Sequence, residues 1–110
     1  MVEYRRATLD ATYGAISHPV RRRLLERLST GRARVTELAD LFDVSLAAVS
    51  KHIRVLEGAG LVRRSVVGRE HWLTLEATRL RPATQWLEGY RRFWESSLDR
   101  LEARIKETSR

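Results

Sequence analysis

One helix near the middle of this 110-residue chain constrains its fold more than any other segment. Val49, Ile53 and Leu56 recur at spacings of four and three, which places them on a single apolar face. Ser45 precedes them with a side-chain oxygen suited to an N-cap, and Gly60 follows as a residue that ends a helix with positive φ. The pattern predicts a helix with one buried face and a defined start and end.

The opposite side of this helix carries small, hydroxylic and cationic side chains. Ala47, Ser50, Lys51 and Arg54 recur at the same spacings, and none of them needs burial. Such a stripe fits the major groove of DNA, because small residues permit close approach, Ser and Lys reach base edges or phosphates, and Arg forks onto guanine. The pattern indicates a DNA recognition helix, and an ordinary solvated helix face is the alternative.

The first part of the chain predicts two helices separated by a proline-containing break. Residues 4–16 form the first helix, with Leu9 and Tyr13 on one face. Residues 19–28 form the second helix, whose opening proline suits a first turn. The arginine run 21–23 points in different directions on such a helix, so these side chains are either solvated surface or phosphate contacts.

The middle of the chain predicts a helix-turn-helix followed by a β-hairpin. Thr36 begins a short third helix, and residues 43–45 form the turn into the recognition helix. Beyond that helix the apolar period changes to two. Residues 61–66 and 70–75 are predicted strands, and residues 67–69 form the turn between them. A basic hairpin directly after a recognition helix is typical of a winged helix-turn-helix.

The last predicted helix carries a long apolar stripe. It opens at Pro82 and keeps a helical period to near residue 105, with a mean spacing close to that of a straight helix. A small three-helix core cannot cover all these side chains, so we expect a second copy of the chain to bury them. With the first helix, the stripe predicts this dimer interface: Leu9, Tyr13, Leu87, Tyr90, Trp94, Leu98, Leu101 and Ile105.

The composition limits the classes of function. A formal net charge of +7 suits a polyanionic partner. The absence of cysteine excludes disulfides, thiolate metal sites and a cysteine nucleophile. The sequence has no long apolar run, signal-peptide pattern, phosphate loop, metalloprotease motif or nucleophile elbow. We therefore expect a cytoplasmic protein that is not an enzyme and has no membrane partner.

The hairpin carries further candidates for DNA contact. Arg63, Arg64 and Arg69 either contact DNA, with Arg69 in or beside the minor groove, or only protect an edge strand. Thr36 and Ser45 are suited both to phosphate contact and to capping their own helices. The predicted DNA-binding set is Thr36, Ser45, Ala47, Ser50, Lys51, Arg54, Arg63, Arg64 and Arg69.

The three histidines do not predict a metal site by themselves. His18, His52 and His71 are far apart in sequence, whereas a site needs at least three converging ligands. We expect His52 to pack or to face a phosphate, and His71 to be structural. The prediction is therefore no cofactor, and the alternative is nickel or zinc held by His18 together with carboxylates of a partner chain.

These motifs, taken in order, resemble the ArsR/SmtB family of bacterial winged-helix repressors over about residues 16–75. The resemblance rests on these segments: His18-Pro19-Val20-Arg21-Arg22, Val35–Ala39, Val49–Ile53, Val55-Leu56, Ala59–Val62 and Gly68-Arg69. The long terminal helix also suits the family. The resemblance implies a homodimer, held by the first and last helices, that binds an inverted repeat and represses transcription.

The chain departs from the family's metal-sensing members. Their site on the third helix needs cysteines, and this chain has none. Their other site uses acidic and histidine residues of the final helix; Glu95, Asp99 and Glu102 are present there, but no histidine follows His71. His18 stands where the family often has an aspartate N-cap, so we expect a poorer cap and a solvent-accessible imidazole. The sensing function is not carried over.

The sequence thus predicts a mainly α fold with a β-hairpin wing, a winged helix-turn-helix that dimerises through its terminal helices. Residues 1–110 form one domain, divided into a first helix (1–16), a winged core (17–75) and a dimerisation helix (79–108). The expected function is a regulator of transcription, most simply a repressor, with double-stranded DNA as partner. The alternative is a regulatory subunit that needs an auxiliary protein, for example a nickel or zinc sensor, for specific binding.

Overall fold

The computed structural model describes the backbone of residues 2–108 and the side chains of residues 8–108. Its elements follow the predicted order of helices and hairpin, which confirms the fold class. The elements are α1 (Val2–Ile16), α2 (Pro19–Leu28), β1 (Ala33–Arg34), α3 (Val35–Ala39), α4 (Leu46–Gly58), β2 (Val62–Val67), β3 (Glu70–Leu75), a 3₁₀ turn (Ala77–Leu80) and α5 (Arg81–Thr108).

The hydrophobic core lies where α2, α3 and α4 meet the sheet. In these three helices the buried residues lie on the apolar face, because each helix can hide only one face in a domain of this size. The fully or nearly fully buried residues of this core are Leu24, Leu28, Ala33, Leu38, Val49, Ile53, Leu56, Leu61, Val62 and Leu73. This core holds α4 and the hairpin side by side.

The hairpin belongs to a three-stranded antiparallel sheet in the order β1-β3-β2. β1 was not predicted from the sequence; it pairs Ala33 with Leu73 and Arg34 with Trp72. Two residues are too few to show a period of two, so this strand depends on its partner rather than on its own pattern. The hairpin turn is also tighter than predicted, because β2 continues through Val67.

Two glycines with positive φ define the end of α4 and the turn of the hairpin. Gly60 has a φ of 74° and Gly68 a φ of 62°. At the end of α4 the Gly60 N–H donates to the Glu57 carbonyl oxygen at 2.9 Å, and the Leu61 N–H donates to that of Leu56 at 3.0 Å. This pair of hydrogen bonds is a Schellman motif. The predicted stop at Gly60 is confirmed.

The terminal helices contact each other beside the winged core. The Tyr13 hydroxyl of α1 donates to the Ala83 carbonyl oxygen of α5 at 3.3 Å, and the Tyr13 ring meets Trp86 edge-on with centroids 5.8 Å apart. The 28 residues of α5 span about 42 Å, so the helix extends well beyond α1. None of the described helices is both long and apolar enough to cross a membrane.

Candidate DNA-binding interface

The exposed face of α4 carries the side chains that the sequence predicts for DNA contact. Ala47, Lys51 and Arg54 are exposed and Ser50 is half-buried, on the side opposite the three buried apolar residues of the same helix. No acidic side chain among the described residues lies within ion-pair distance of Lys51 or Arg54. Both cations are therefore available to a polyanion.

A groove of about 470 Å³ separates α3, the first half of α4 and the hairpin. It brings together four residues of the predicted DNA-binding set that are distant in sequence: Thr36, Ser50, Arg64 and Arg69. The complete lining is Arg34, Val35, Thr36, Leu46, Ser50, Arg64, Arg69, Glu70 and His71. Most of these lining residues have polar or charged side chains, and the groove borders the exposed face of α4.

Ser45 and Thr36 were both predicted either to cap a helix or to contact DNA, and the structure shows that only Ser45 is a cap. The Ser45 hydroxyl accepts from the Ala48 N–H at 3.1 Å and caps α4. Thr36 is not a cap, because α3 begins before it. Arg34 is the N-cap residue, and its N–H donates to Glu37 Oε1 at 3.4 Å. The exposed hydroxyl of Thr36 instead faces the groove.

The three hairpin arginines have different surroundings. Arg63 forms an ion pair with Glu76 at 2.7 Å, although its side chain remains 72% exposed. Arg64 is only 27% exposed and is held by Glu57 of α4. Arg69 lies at the turn, is exposed, and has no carboxylate within ion-pair distance in the described part of the chain. Their roles in DNA contact stay predictions, and Arg69 is the one of the three that has no ion pair among the described residues.

The contact between Arg64 and Glu57 was not predicted. Arg64 Nη2 lies 2.7 Å from Glu57 Oε1 and Nε lies 3.3 Å from Oε2, while Nη1 lies 3.1 Å from His71 Nδ1. The hydrogen bonds that Arg64 donates to Glu57 raise the pKa of Arg64 above its ordinary value. Alternation along β2 could have found this contact, because Arg64 follows buried Val62 by two residues and so shares its inward face.

A second network fixes the other side of the hairpin base, around Trp72. The guanidinium carbons of Arg32 and Arg34 lie 4.3 and 5.6 Å from the centroid of the Trp72 ring. Arg34 also pairs with Glu37 at 2.8 Å and with Glu70 at 3.3 Å. The hydrogen bond between Arg34 and Glu37 raises the pKa of the arginine and lowers that of the carboxylate. β3 is thus tied to the start of α3.

Two histidines that are distant in sequence meet in the structure. The rings of His18 and His52 have centroids 4.3 Å apart. His18 Nδ1 accepts from the Val20 N–H at 3.1 Å and so caps α2, and the side chain of His18 is half-buried. His52 Nδ1 lies 3.0 Å from Arg21 Nη1. Burial, with nearby positive charge, lowers the pKa of His52 below its ordinary value.

The metal alternative requires carboxylates of a partner chain and stays a prediction. Among the described residues, no group of three or more His, Cys, Asp or Glu side chains is placed to hold a metal ion. His18 uses Nδ1 to cap α2, and the Arg21 guanidinium lies against the neighbouring imidazole. A cation in direct contact with a histidine ring disfavours a second cation there.

Each arginine of the run 21–23 donates to a backbone carbonyl oxygen of another element or turn, while Arg22 and Arg23 remain exposed. Arg21 Nε and Arg22 Nη1 donate to carbonyl oxygens in the last turn of α1 at 2.6 and 2.8 Å. Arg23 Nη2 donates to the Leu41 carbonyl oxygen at 3.3 Å. The last carbonyls of a helix lack partners within it, so the contacts of Arg21 and Arg22 stabilise the end of α1.

The predicted dimer interface divides into two parts. Leu9 and Tyr13 are half-buried against α5 of the same chain. The six predicted residues of α5 are 51–63% exposed, namely Leu87, Tyr90, Trp94, Leu98, Leu101 and Ile105. Trp86 and Phe93 widen this surface and are 50% and 66% exposed. An apolar surface of this length is unusual on a protein that remains alone in water.

A winged helix-turn-helix whose recognition helix exposes unpaired cations defines the class of DNA-binding transcriptional regulators, not enzymes. A family model described as "Helix-turn-helix domain" matches residues 16–65. The chain is 36% identical over 89 residues to the HTH-type transcriptional regulator Rv2034 of Mycobacterium tuberculosis, which covers 81% of this chain and 80% of that protein. It is 27% identical over 82 residues to the transcriptional repressor SdpR of Bacillus subtilis, covering 74% and 91%.

The solved structures agree with the sequence relatives. The crystal structure of an ArsR family transcriptional regulator superposes with a TM-score of 0.75 at 36% identity, covering 83% of this chain and 94% of that chain. The chain belongs to the ArsR family of transcriptional regulators. The resemblance found in the sequence motifs is therefore confirmed.

Proposed function

We propose that this regulator is a cytoplasmic, homodimeric repressor that binds an inverted-repeat operator with two recognition helices. The observation that carries the proposal is the presence of two exposed surfaces on one chain, the cationic face of α4 and the apolar stripe of α5. The first fits the major groove, and the second fits a copy of itself.

A second copy of the chain suits the α5 stripe because the stripe is long, straight and apolar. Its residues leave about half or more of their side-chain surface in water. Burying each of them would contribute roughly 1.5–3 kcal/mol at full burial, which is enough to support a stable dimer. A twofold axis through the stripe would relate the two α4 helices, so the matching operator is an inverted repeat.

Repression is the simplest regulatory outcome for such a dimer. Bound across two half-sites about one helical turn apart, it would occupy a stretch of DNA that polymerase needs. The relative SdpR is a transcriptional repressor, which supports the same sign of regulation here.

The test is a binding titration of the purified protein against DNA fragments that it has selected from a random pool. Lys51 and Arg69 from two protomers would neutralise about four phosphates, so log affinity should fall against log salt with a slope near −4. Arg54→Met should lower affinity by about tenfold on the selected site and relax its base preference. Arg104→Gln, the same loss of charge at the far end of α5, should change neither.

A flat salt response, or equal losses from both substitutions, would contradict the proposed interface. The same titration with added nickel or zinc tests the sensor alternative. We propose that DNA binding needs no metal, so neither ion should change the affinity. The same titration with added cell extract tests the need for an auxiliary protein. Specific binding by the purified chain alone would exclude that alternative.

A further inference from the structure

One ion pair joins the recognition helix to the wing. Glu57 lies in the last turn of α4, and Arg64 lies near the start of β2. Two nitrogens of the guanidinium face the two carboxylate oxygens, at 2.7 and 3.3 Å. Among the described residues, this is the one side-chain hydrogen-bonded contact between α4 and the hairpin. Its third interaction, with His71 at 3.1 Å, reaches the second strand of the hairpin.

We propose that Arg64 is a positioning residue, which together with Glu57 sets the angle between the wing and the recognition helix so that both reach one duplex. This assignment rests on the proposed operator binding, and it replaces the sequence-based prediction that Arg64 contacts DNA. Arg69 at the tip of the hairpin and Arg54 on α4 then make the contacts that Arg64 aligns.

The surroundings of the pair favour positioning over DNA contact. The side chains of Arg64 and Glu57 are 27% and 28% exposed, so water screens them less than a surface pair. A guanidinium matches a carboxylate in a two-bond fork, which fixes direction as well as distance. A phosphate could recruit Arg64 only by displacing that carboxylate. The pair also adjoins buried Val62, whose side chain shares the inward face of β2.

Substitution of Glu57 tests the proposal, because a purely electrostatic role and a positioning role predict opposite changes in DNA affinity. Glu57 is an acidic group beside a surface that binds a polyanion. If it acted only through its charge, Glu57→Gln would remove repulsion and tighten DNA binding. If it positions the wing through Arg64, the same substitution loosens the hairpin and weakens binding despite the added net positive charge.

The experiment compares full-length variants on the selected operator, across a salt series. We expect Glu57→Gln and Arg64→Met each to weaken binding by about tenfold, and the double variant to weaken it little further, because both remove one interaction. The salt slope should stay that of the wild type. Arg64→Lys should rescue only in part, since an ammonium cannot form the fork. Asp43→Asn, an equal charge change before α4, should leave binding unchanged or tighten it.

Three results would overturn the assignment. These are tighter binding by Glu57→Gln, a slope reduced by about 0.9 per protomer in Arg64→Met, and additive losses in the double variant. Hydrogen exchange in the DNA-free protein gives an independent readout: Glu57→Gln should speed exchange of the β2 and β3 amides and leave α2 unchanged. If the wild-type protein bound no duplex, the proposed function would be wrong. If Glu57→Gln left hydrogen exchange in the hairpin unchanged, the positioning role would be wrong, whatever the result of the DNA titration.

Discussion

His52 lies on the recognition helix, but its ring faces the junction of α1 and α2. Three cationic or titratable residues lie near the ring: His18 from the turn between α1 and α2, Arg21 from α2, and Lys51 from α4 itself. Burial is the largest cause of its lowered pKa, and the charge of these neighbours adds to it. The folded protein therefore holds His52 neutral at a pH where the unfolded chain would protonate it.

This shift predicts a loss of stability on mild acidification. The folded pKa lies below the ordinary value of 6.5, so the unfolded state binds more protons as pH falls through 6.5, and the free energy of unfolding falls with it. Well above pH 6.5 the protein keeps the full free energy of unfolding, and below the folded pKa of His52 this contribution to stability is lost completely. Urea unfolding at pH 7.5 and 5.5 should show a larger drop for the wild type than for His52→Gln, whereas equal drops would contradict the shift.

Arginine is the commonest cation in this chain, and its role at each position depends on the oxygen beside it. Arg21 and Arg22 donate to carbonyl oxygens that end α1. Arg64 is held by a carboxylate, and Arg54 is exposed without an acidic partner among the described residues. Residue type and net charge predict a polyanion partner, but only the local contacts separate cations that hold the fold from cations available to DNA.

At the scale of elements, the end of α4 determines where the hairpin begins. Gly60 has a φ of 74°, and a Cβ added there would lie 3.3 Å from the Arg79 side chain. The left-handed region is unfavourable for residues that carry a Cβ. Gly58, two residues earlier, has helical geometry and no neighbour within 4 Å of an added Cβ. The two glycines therefore differ in backbone conformation and in space.

Alanine substitution at these two positions should have opposite effects. Gly60→Ala should lower the free energy of unfolding by about 1–2 kcal/mol through the left-handed backbone, whereas Gly58→Ala should raise it by up to about 1 kcal/mol through helix propensity. Chemical denaturation followed by tryptophan fluorescence measures both. A stabilised Gly60→Ala would show that α4 can end in another way, and would remove the reason for this glycine.

Elements that keep an apolar repeat over many residues could be predicted from the sequence, whereas the two-residue strand β1 could not. α4 and α5 show the helical period over several turns, and the hairpin shows alternation on both strands. β1 has two residues and exists because β3 supplies hydrogen-bond partners, which no local pattern reveals. The contact between His18 and His52 was not predicted for a related reason, since the two rings come from segments that are distant in sequence.

The candidate site was predictable on its exposed side only. Lys51 and Arg54 follow from the helical face that lies opposite the buried residues, and the structure leaves both exposed. Arg63 and Arg64 looked equivalent in the sequence, yet strand alternation directs one outward to Glu76 and the other inward to Glu57. Which acid meets which base depends on how the hairpin packs on α4, and that is a property of the tertiary structure.

At the scale of the whole molecule, the chain has the shape of a small core with a rod attached. Its principal extents are 68, 37 and 21 Å, and the long dimension includes the projecting part of α5. A lone helix with an apolar side gains little stability in water beyond its contact with the core. The projecting turns of α5 are therefore expected to gain theirs from a partner helix.

Replacing one residue of the apolar stripe by a charged residue tests that expectation. Trp94→Glu places a carboxylate among side chains that a dimer would bury, so the protein should sediment as a 12.8 kDa monomer while the wild type sediments at twice that mass. Operator affinity should fall with it, because one protomer binds only one half-site. Ser96→Glu adds the same charge on the other side of α5 and should leave both unchanged. A dimeric Trp94→Glu protein would move the interface away from this stripe.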